Sequence, residues 1–157
     1  MSLRRRALLA APLAFAWVRE AHAGQVEEPL ADAVRSALSA AIANSAPPRP
    51  HFDNIEDRLA YLRWLGDMSQ RLERRMAERS TRVEFLETVW YESKRAGLET
   101  SLVLGLIQVE SGFRKYAISK AGARGYMQVM PFWARPIGDG HVSQLFHMQT
   151  NLRFGCV

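Results

Sequence analysis

Cysteine is almost absent. Cys156 is the only one in 157 residues, so the chain can form no internal disulfide. A disulfide-stapled scaffold is thereby excluded, and the fold has to rest on its apolar core. Long hydrophobic runs are also missing: Ala7–Val18 is apolar for 12 residues, short of the ~20 that cross a bilayer as a helix. No segment alternates apolar and polar residues for long, which removes the signature of a half-buried strand. His51, His141 and His147 show no metal-ligand spacing, so no metal and no other cofactor is expected. Acids thin out towards the C-terminal end. From Glu110 onward only Glu110 and Asp139 occur, against Arg114, Lys115, Lys120, Arg124, Arg135 and Arg153. A lone Glu among cations asks for an explanation.

What is present is ordinary globular usage, 48% apolar and 24% charged, which argues against disorder over most of the chain. The length sets a prior of one domain. A formal charge of +5 invites a nucleic-acid reading, but the N-terminus weakens it. Residues 1–23 read as an export signal: basic Arg4, Arg5 and Arg6, the apolar run Ala7–Val18, then Ala21-His22-Ala23 as a small-x-small cleavage site. With four Arg and one Glu this segment holds +3 of the charge, leaving +2 on a mature chain of 134 residues. A periplasmic or otherwise exported protein is expected, with no nucleic acid as partner. The alternative for residues 1–23 is an ordinary amphipathic helix.

In residues 24–52, Leu30, Val34, Leu38 and Ile42 recur every four positions, predicting a helix, and a Pro-rich linker follows over 44–52. Residues 53–157 form the expected main domain. Asp53-Asn-Ile-Glu56 resembles a capping box. Ile55, Leu59, Leu62, Leu65, Met68, Leu72 and Met76 then mark one face of a long helix. Thr81-Arg-Val-Glu84 repeats the cap pattern before a helix that buries Leu86, Val89, Trp90 and Ser93 and stops at Gly97. The expected class is all-α.

A further helix runs from Thr100 or Ser101 to about Ser111, with Gly112 ending it. It is apolar nearly all round, which predicts burial and places Glu110 on the last turn of a core helix. Burial favours the protonated carboxyl, able to donate a proton. The same residue could instead be held by an arginine or lie exposed on the last turn. Downstream, Ser119-Lys-Ala-Gly-Ala-Arg-Gly125 is a run of small residues whose Gly122 and Gly125 permit positive φ and close approach of backbone to a ligand. Tyr126, Met127 and Gln128 follow, and Pro131 restarts a helix. A ring, a thioether and an amide beside an acid suit an N-acetylated, polyhydroxylated substrate.

Glu110-Ser-Gly-Phe-Arg, Ala117-Ile-Ser-Lys-Ala-Gly-Ala-Arg-Gly125 and Met127-Gln-Val-Met-Pro131 together closely resemble the soluble lytic transglycosylase domain. The resemblance is dense from Thr100 to Pro131 and looser through Asn151–Gly155. It implies a lysozyme-like helical fold, related to goose-type lysozyme, and cleavage of peptidoglycan glycan strands near the cell wall or outer membrane. By the same resemblance Glu110 is the catalytic acid and base. Ser111, Gly125, Tyr126, Met127 and Gln128 line the substrate groove, and Asn151 opens the helix facing it. Tyr126 departs from the family's usual leucine. Family domains continue with further helices, so the domain is expected to be incomplete at its C-terminal end. Such enzymes need one carboxylate: Asp139, in a Gly-Asp-Gly loop, reads as a turn residue. The alternative is a non-catalytic or truncated peptidoglycan-binding module, with a possible tie to a secretion or pilus system.

Overall fold

A computed structural model describes residues 47–134 and 141–157. The expected signal segment 1–23, the expected helix over 27–43 and Asp139 lie outside the described residues. Helix α1 spans Ile55–Leu72, α2 Arg79–Arg95, α3 Thr100–Glu110 and α4 Met148–Cys156. Short 3₁₀ turns occur at Pro131–Trp133 and Val142–Phe146. The described residues contain two isolated β-bridges and no longer strand pairing, so the all-α expectation holds. Among the described residues no helix is long and apolar enough to cross a membrane.

Each helix start differs by a residue or more from the cap read in the sequence. For α1 the cap is Asn54, extended and accepting from the Asp57 amide at 2.8 Å; Asp53 stands one residue too early. For α2 it is Glu78, whose carboxylate accepts from the amides of Ser80 (2.9 Å) and Thr81 (2.6 Å) and from both hydroxyls. Thr81, expected as a cap, lies in the first turn instead. The longer Glu side chain spans two amides at once, and its charge meets the positive end of the helix dipole. Before α3, Glu99 makes no side-chain cap, so neither Thr100 nor Ser101 is the cap residue. Gly97 and Gly112 follow their helices with positive φ, as expected.

The buried side of α1 is also rotated from the expected stripe. Ile55, Leu59 and Leu62 are exposed, whereas Tyr61 and Leu72 are buried and Trp64, Leu65 and Met68 pack against the core. The shift follows from the aromatics. Tyr61 sits 5.0 Å from the Trp90 ring and 5.2 Å from Phe52, which draws the end of the Pro-rich linker onto the helices. Burial, with Glu87 nearby, pushes the Tyr61 phenol up to about 12.

Helix α2 is the centre, packing on α1, α3 and α4. Its Phe85, Leu86 and Val89 form the core with Val103 and Ile107 of α3 and Leu152 and Cys156 of α4. Burial pushes the Cys156 thiol up to about 11, so it serves as an apolar filler. Three charges are buried with this core. Arg82 donates to the carbonyls of Met76 (2.6 Å) and Ala77 (2.8 Å), holding the turn after α1. Glu92, 1% exposed, accepts from Arg95 at 2.8 Å through one oxygen. Its other oxygen accepts from Arg153 Nε at 2.9 Å and lies 2.8 Å from Arg153 Nη2, which ties α2 to α4.

Removing one partner of a buried ion pair costs about 3 kcal/mol or more, while replacing both with apolar groups is often neutral. Arg153→Met is expected to lower unfolding free energy by about that amount, and Glu92→Met/Arg153→Met to recover most of it, in denaturant titrations. A second prediction concerns acid. The side-chain and backbone donors of Ser80 and Thr81 hold Glu78 well down, from 4.5 to about 2. Its contribution is therefore present above the unfolded value and lost as pH falls from 4.5 towards 2. Glu78→Gln is expected to flatten the Tm-against-pH curve in that window and leave neutral-pH unfolding cooperative.

Candidate active site

Helix α3 places Glu110. Val103 and Ile107, one turn apart, are buried against α2. The opposite side is open: Leu102 is 64% exposed, Leu106 43% and Val109 83%. Glu110 is exposed with them. The expectation of a buried core helix and a buried Glu110 is thus overturned, because among the described helices α3 packs on α2, which covers one side of it. Among the described residues no ion pair or hydrogen bond holds the Glu110 carboxylate, so neither the buried nor the arginine-held alternative applies.

The chain turns hard at this point. Ser111 is buried, and its hydroxyl donates back to the Ile107 carbonyl at 3.2 Å. Gly112 and Phe113 then adopt φ of 58° and 65° in succession. A left-handed phenylalanine is unfavourable by itself; its ring is buried 6.0 Å from Phe85, edge to face, which offsets that cost. Arg114 Nε donates to the Ser111 carbonyl at 2.9 Å and steadies the turn.

Residues 117–129 fold into a compact loop knit by its own backbone. The Gly125 amide donates to Ala117 at 2.9 Å, and Arg124 and Val129 exchange two bonds of 3.0 Å. Gln128, with φ of 48°, points its amide nitrogen inward, donating to the carbonyls of Gly125 (2.8 Å) and Ala117 (3.2 Å). Asn151 docks the loop on α4. It accepts from the Met127 amide at 2.8 Å and donates to the carbonyls of Arg124 (2.9 Å) and Leu145 (2.8 Å). The approach is so close that a Cβ on Gly125 would lie 2.4 Å from Asn151 Nδ2 and 2.7 Å from the Leu145 oxygen. On the other side of the contact, a Cβ on Gly155 would lie 2.4 Å from Met127 Cβ.

The residues singled out from the sequence therefore fall into two groups. Glu110 is on the surface, and Gln128 is half-buried. Ser111, Gly125, Tyr126, Met127 and Asn151 are buried. The Tyr126 ring packs 4.9 Å from Phe85 inside the core, and burial pushes its phenol up to about 12. Asn151 does not open its helix, which starts at Met148 behind His147; it lies in the first turn with its side chain spent on the loop. Sequence reasoning missed Glu92 and Arg153 as a buried pair. The signal was present in Glu92, a charge three and seven residues beyond Val89 and Phe85 on the same stripe.

A family model, the Transglycosylase SLT domain, matches residues 87–156, from the middle of α2 to the end of α4. That stretch takes in α3, Glu110, the 117–129 loop and Asn151. This part of the chain is an SLT match. Relatives agree with it over a shorter stretch. Membrane-bound lytic murein transglycosylase C of Mannheimia succiniciproducens is 49% identical over 51 residues, 32% of this chain and 14% of that protein. The proteins of the same name from Haemophilus ducreyi and Haemophilus influenzae are 50% and 45% identical, over 31% and 32% of this chain and 13% and 14% of theirs. The matched stretch is thus a small part of the length of these relatives. No solved structure matches the chain.

Asn151→Ala would strand two backbone groups, the Met127 amide and the Leu145 carbonyl, at about 1 kcal/mol each, while the Arg124 carbonyl keeps the Val129 amide. A loss of about 2 kcal/mol in unfolding free energy is expected. Asn151→Asp, which keeps the acceptor for Met127 and loses both donors, should fall between. Equal stability of Asn151→Ala and wild type in urea titration would remove Asn151 as the anchor.

Proposed function

We propose that this chain carries lytic transglycosylase activity on peptidoglycan, with Glu110 as its single acid and base. The observation that supports it best is the placement of Glu110: a solvent-accessible carboxyl at the end of α3, within the SLT match, followed by the Gly112–Phe113 reversal and the anchored loop. A two-carboxylate glycosidase would need a partner acid. The other residues of the match that this reading uses are Ser111, Gly125, Tyr126, Met127, Gln128 and Asn151. Most of them act from below, as a bed that presents backbone to a glycan, with Gln128 bracing the loop through the carbonyls of Gly125 and Ala117.

In this reading Glu110 protonates the oxygen linking N-acetylmuramic acid to N-acetylglucosamine, and the bond from that oxygen to the muramoyl C1 breaks. The substrate's own N-acetyl group stabilises the electron-poor C1. The Glu110 carboxylate then takes the proton of the muramoyl 6-hydroxyl as that oxygen closes on C1. The products are a 1,6-anhydromuramoyl end and an N-acetylglucosamine with a free 4-hydroxyl, and Glu110 is again protonated. No water is consumed. A glycan laid along the exposed apolar side of α3 would exclude water from the reacting bond. Export to the periplasm, by the segment 1–23, fits a wall substrate.

Binding without turnover is the second reading, and one observation favours it: the clefts described below are lined by other residues than Glu110. One experiment separates the two. Digestion of purified sacculi by wild type is expected to release anhydromuropeptides, and Glu110→Gln to lower that rate at least 100-fold while sedimenting with sacculi as wild type does. Release by Glu110→Gln at the wild-type rate would remove the acid-base assignment. Sedimentation of wild type without any release would establish the binding module instead.

A further inference from the structure

Two neighbouring clefts open beside α1. One, of about 570 Å³, lies between the turn after α1 and residues 113–118; the other, of about 390 Å³, lies between α1 and α3. They share Arg75 and Phe113, so they adjoin at those two side chains and are treated together as one bent groove. Its apolar surface comes from Met76, Leu104 and Phe113, and four cations line it: Arg71 and Arg75 from the α1 side, Arg114 and Lys115 from the other. Among the described residues none of the four is in an ion pair. The acid on the wall, Glu78, has its carboxylate turned to the amides and hydroxyls of Ser80 and Thr81. Arg114 also donates to the Ser111 carbonyl and Lys115 lies 5.4 Å over the Tyr116 ring, but neither partner is an anion. Four cations outside any ion pair thus line a concave, partly apolar surface, which suits an extended anionic ligand.

We propose that this groove binds the carboxylate-bearing peptides attached to the wall glycan, apart from the Glu110 face. Gln108, which lines the second cleft, is about 200° round α3 from Glu110, so the groove runs on the other side of that helix. The two surfaces meet at the Gly112–Phe113 reversal. Phe113 is three residues beyond Glu110, at most ~10 Å of chain, so a short peptide branching from a sugar at Glu110 reaches the groove. Carboxylates along such a peptide face Arg75, Arg114 and Lys115, and its methyl groups lie on Met76 and Phe113. The proposal rests on the reading of Glu110 as acting on the glycan, and names a second contact for the same polymer.

The test uses the full chain, a synthetic wall-type tetrapeptide without sugar, and glycan strands with and without their peptides. The variant is Arg75→Gln/Lys115→Gln, two changes on groove-lining side chains outside the Glu110 site. Surface charge contacts of this kind change affinity modestly, so the variant is expected to bind the tetrapeptide about three- to tenfold more weakly. Wild-type binding should weaken with salt. On peptide-bearing strands KM should rise by the same factor with kcat unchanged, and on stripped strands neither should move. Glu110→Gln should bind the tetrapeptide as wild type does. Equal tetrapeptide binding by wild type and variant, no binding by either, or duplex DNA displacing the tetrapeptide through the same two residues would overturn the groove assignment. If wild type cleaves neither kind of strand, the Glu110 reading falls, and the tetrapeptide titration still decides the groove.

Discussion

The arrangement depends on one buried amide. Asn151 uses an acceptor and two donors on three backbone groups, the Met127 amide and the carbonyls of Arg124 and Leu145. In doing so it sets the distance between α4 and the 117–129 loop. Only a residue without a side chain fits at Gly125 on one side of that contact, and the same holds for Gly155 against Met127. The loop has little regular structure of its own, with two isolated bridges and a few turns. Its own backbone bonds close it, and its seat on the helix is set through the Asn151 amide.

The same economy governs the charges. A buried carboxylate is costly unless paired and hydrogen-bonded, and Glu92 meets that condition with Arg95 and Arg153. The pair holds α4 on α2, α4 carries Asn151, and Asn151 holds the loop that follows Glu110. Arg82 performs a comparable task at the other end of α2, where it satisfies the carbonyls of the turn after α1 and so shapes one wall of the basic groove. Interior charges thus position both surfaces that are proposed to meet a ligand. Glu110 stays in solvent, where the proposed acid-base role requires it to be reached.

Much of this was legible in the residues. The helical class, the ends of the helices at Gly97 and Gly112, and the importance of residues 105–131 followed from periodicity, from terminating glycines and from the resemblance that the SLT match bears out. Burial was not legible where it depended on partners. An apolar-all-round α3 predicts enclosure, yet which sides are covered is decided by the neighbouring elements, and α2 covers one. Likewise the stripe on α1 was misplaced because Tyr61 and Trp64 outweigh Ile55 and Leu59 in area. Caps were misread by one to three residues: Asp53 was taken for its neighbour Asn54, and Glu78 was not weighed as a cap beside Thr81. Asn151 stood out in the sequence, but whether it faces a ligand or a backbone is a tertiary fact.

The chemical reading rests on a single carboxylate doing both proton transfers, with the substrate supplying the nucleophile. That distinguishes it sharply from hydrolysis, in which water adds to the broken bond. The most direct measurement is digestion of sacculi in heavy-oxygen water, followed by mass analysis of the muramoyl ends. The account predicts 1,6-anhydro ends that carry no label. Labelled, reducing muramoyl ends would contradict it.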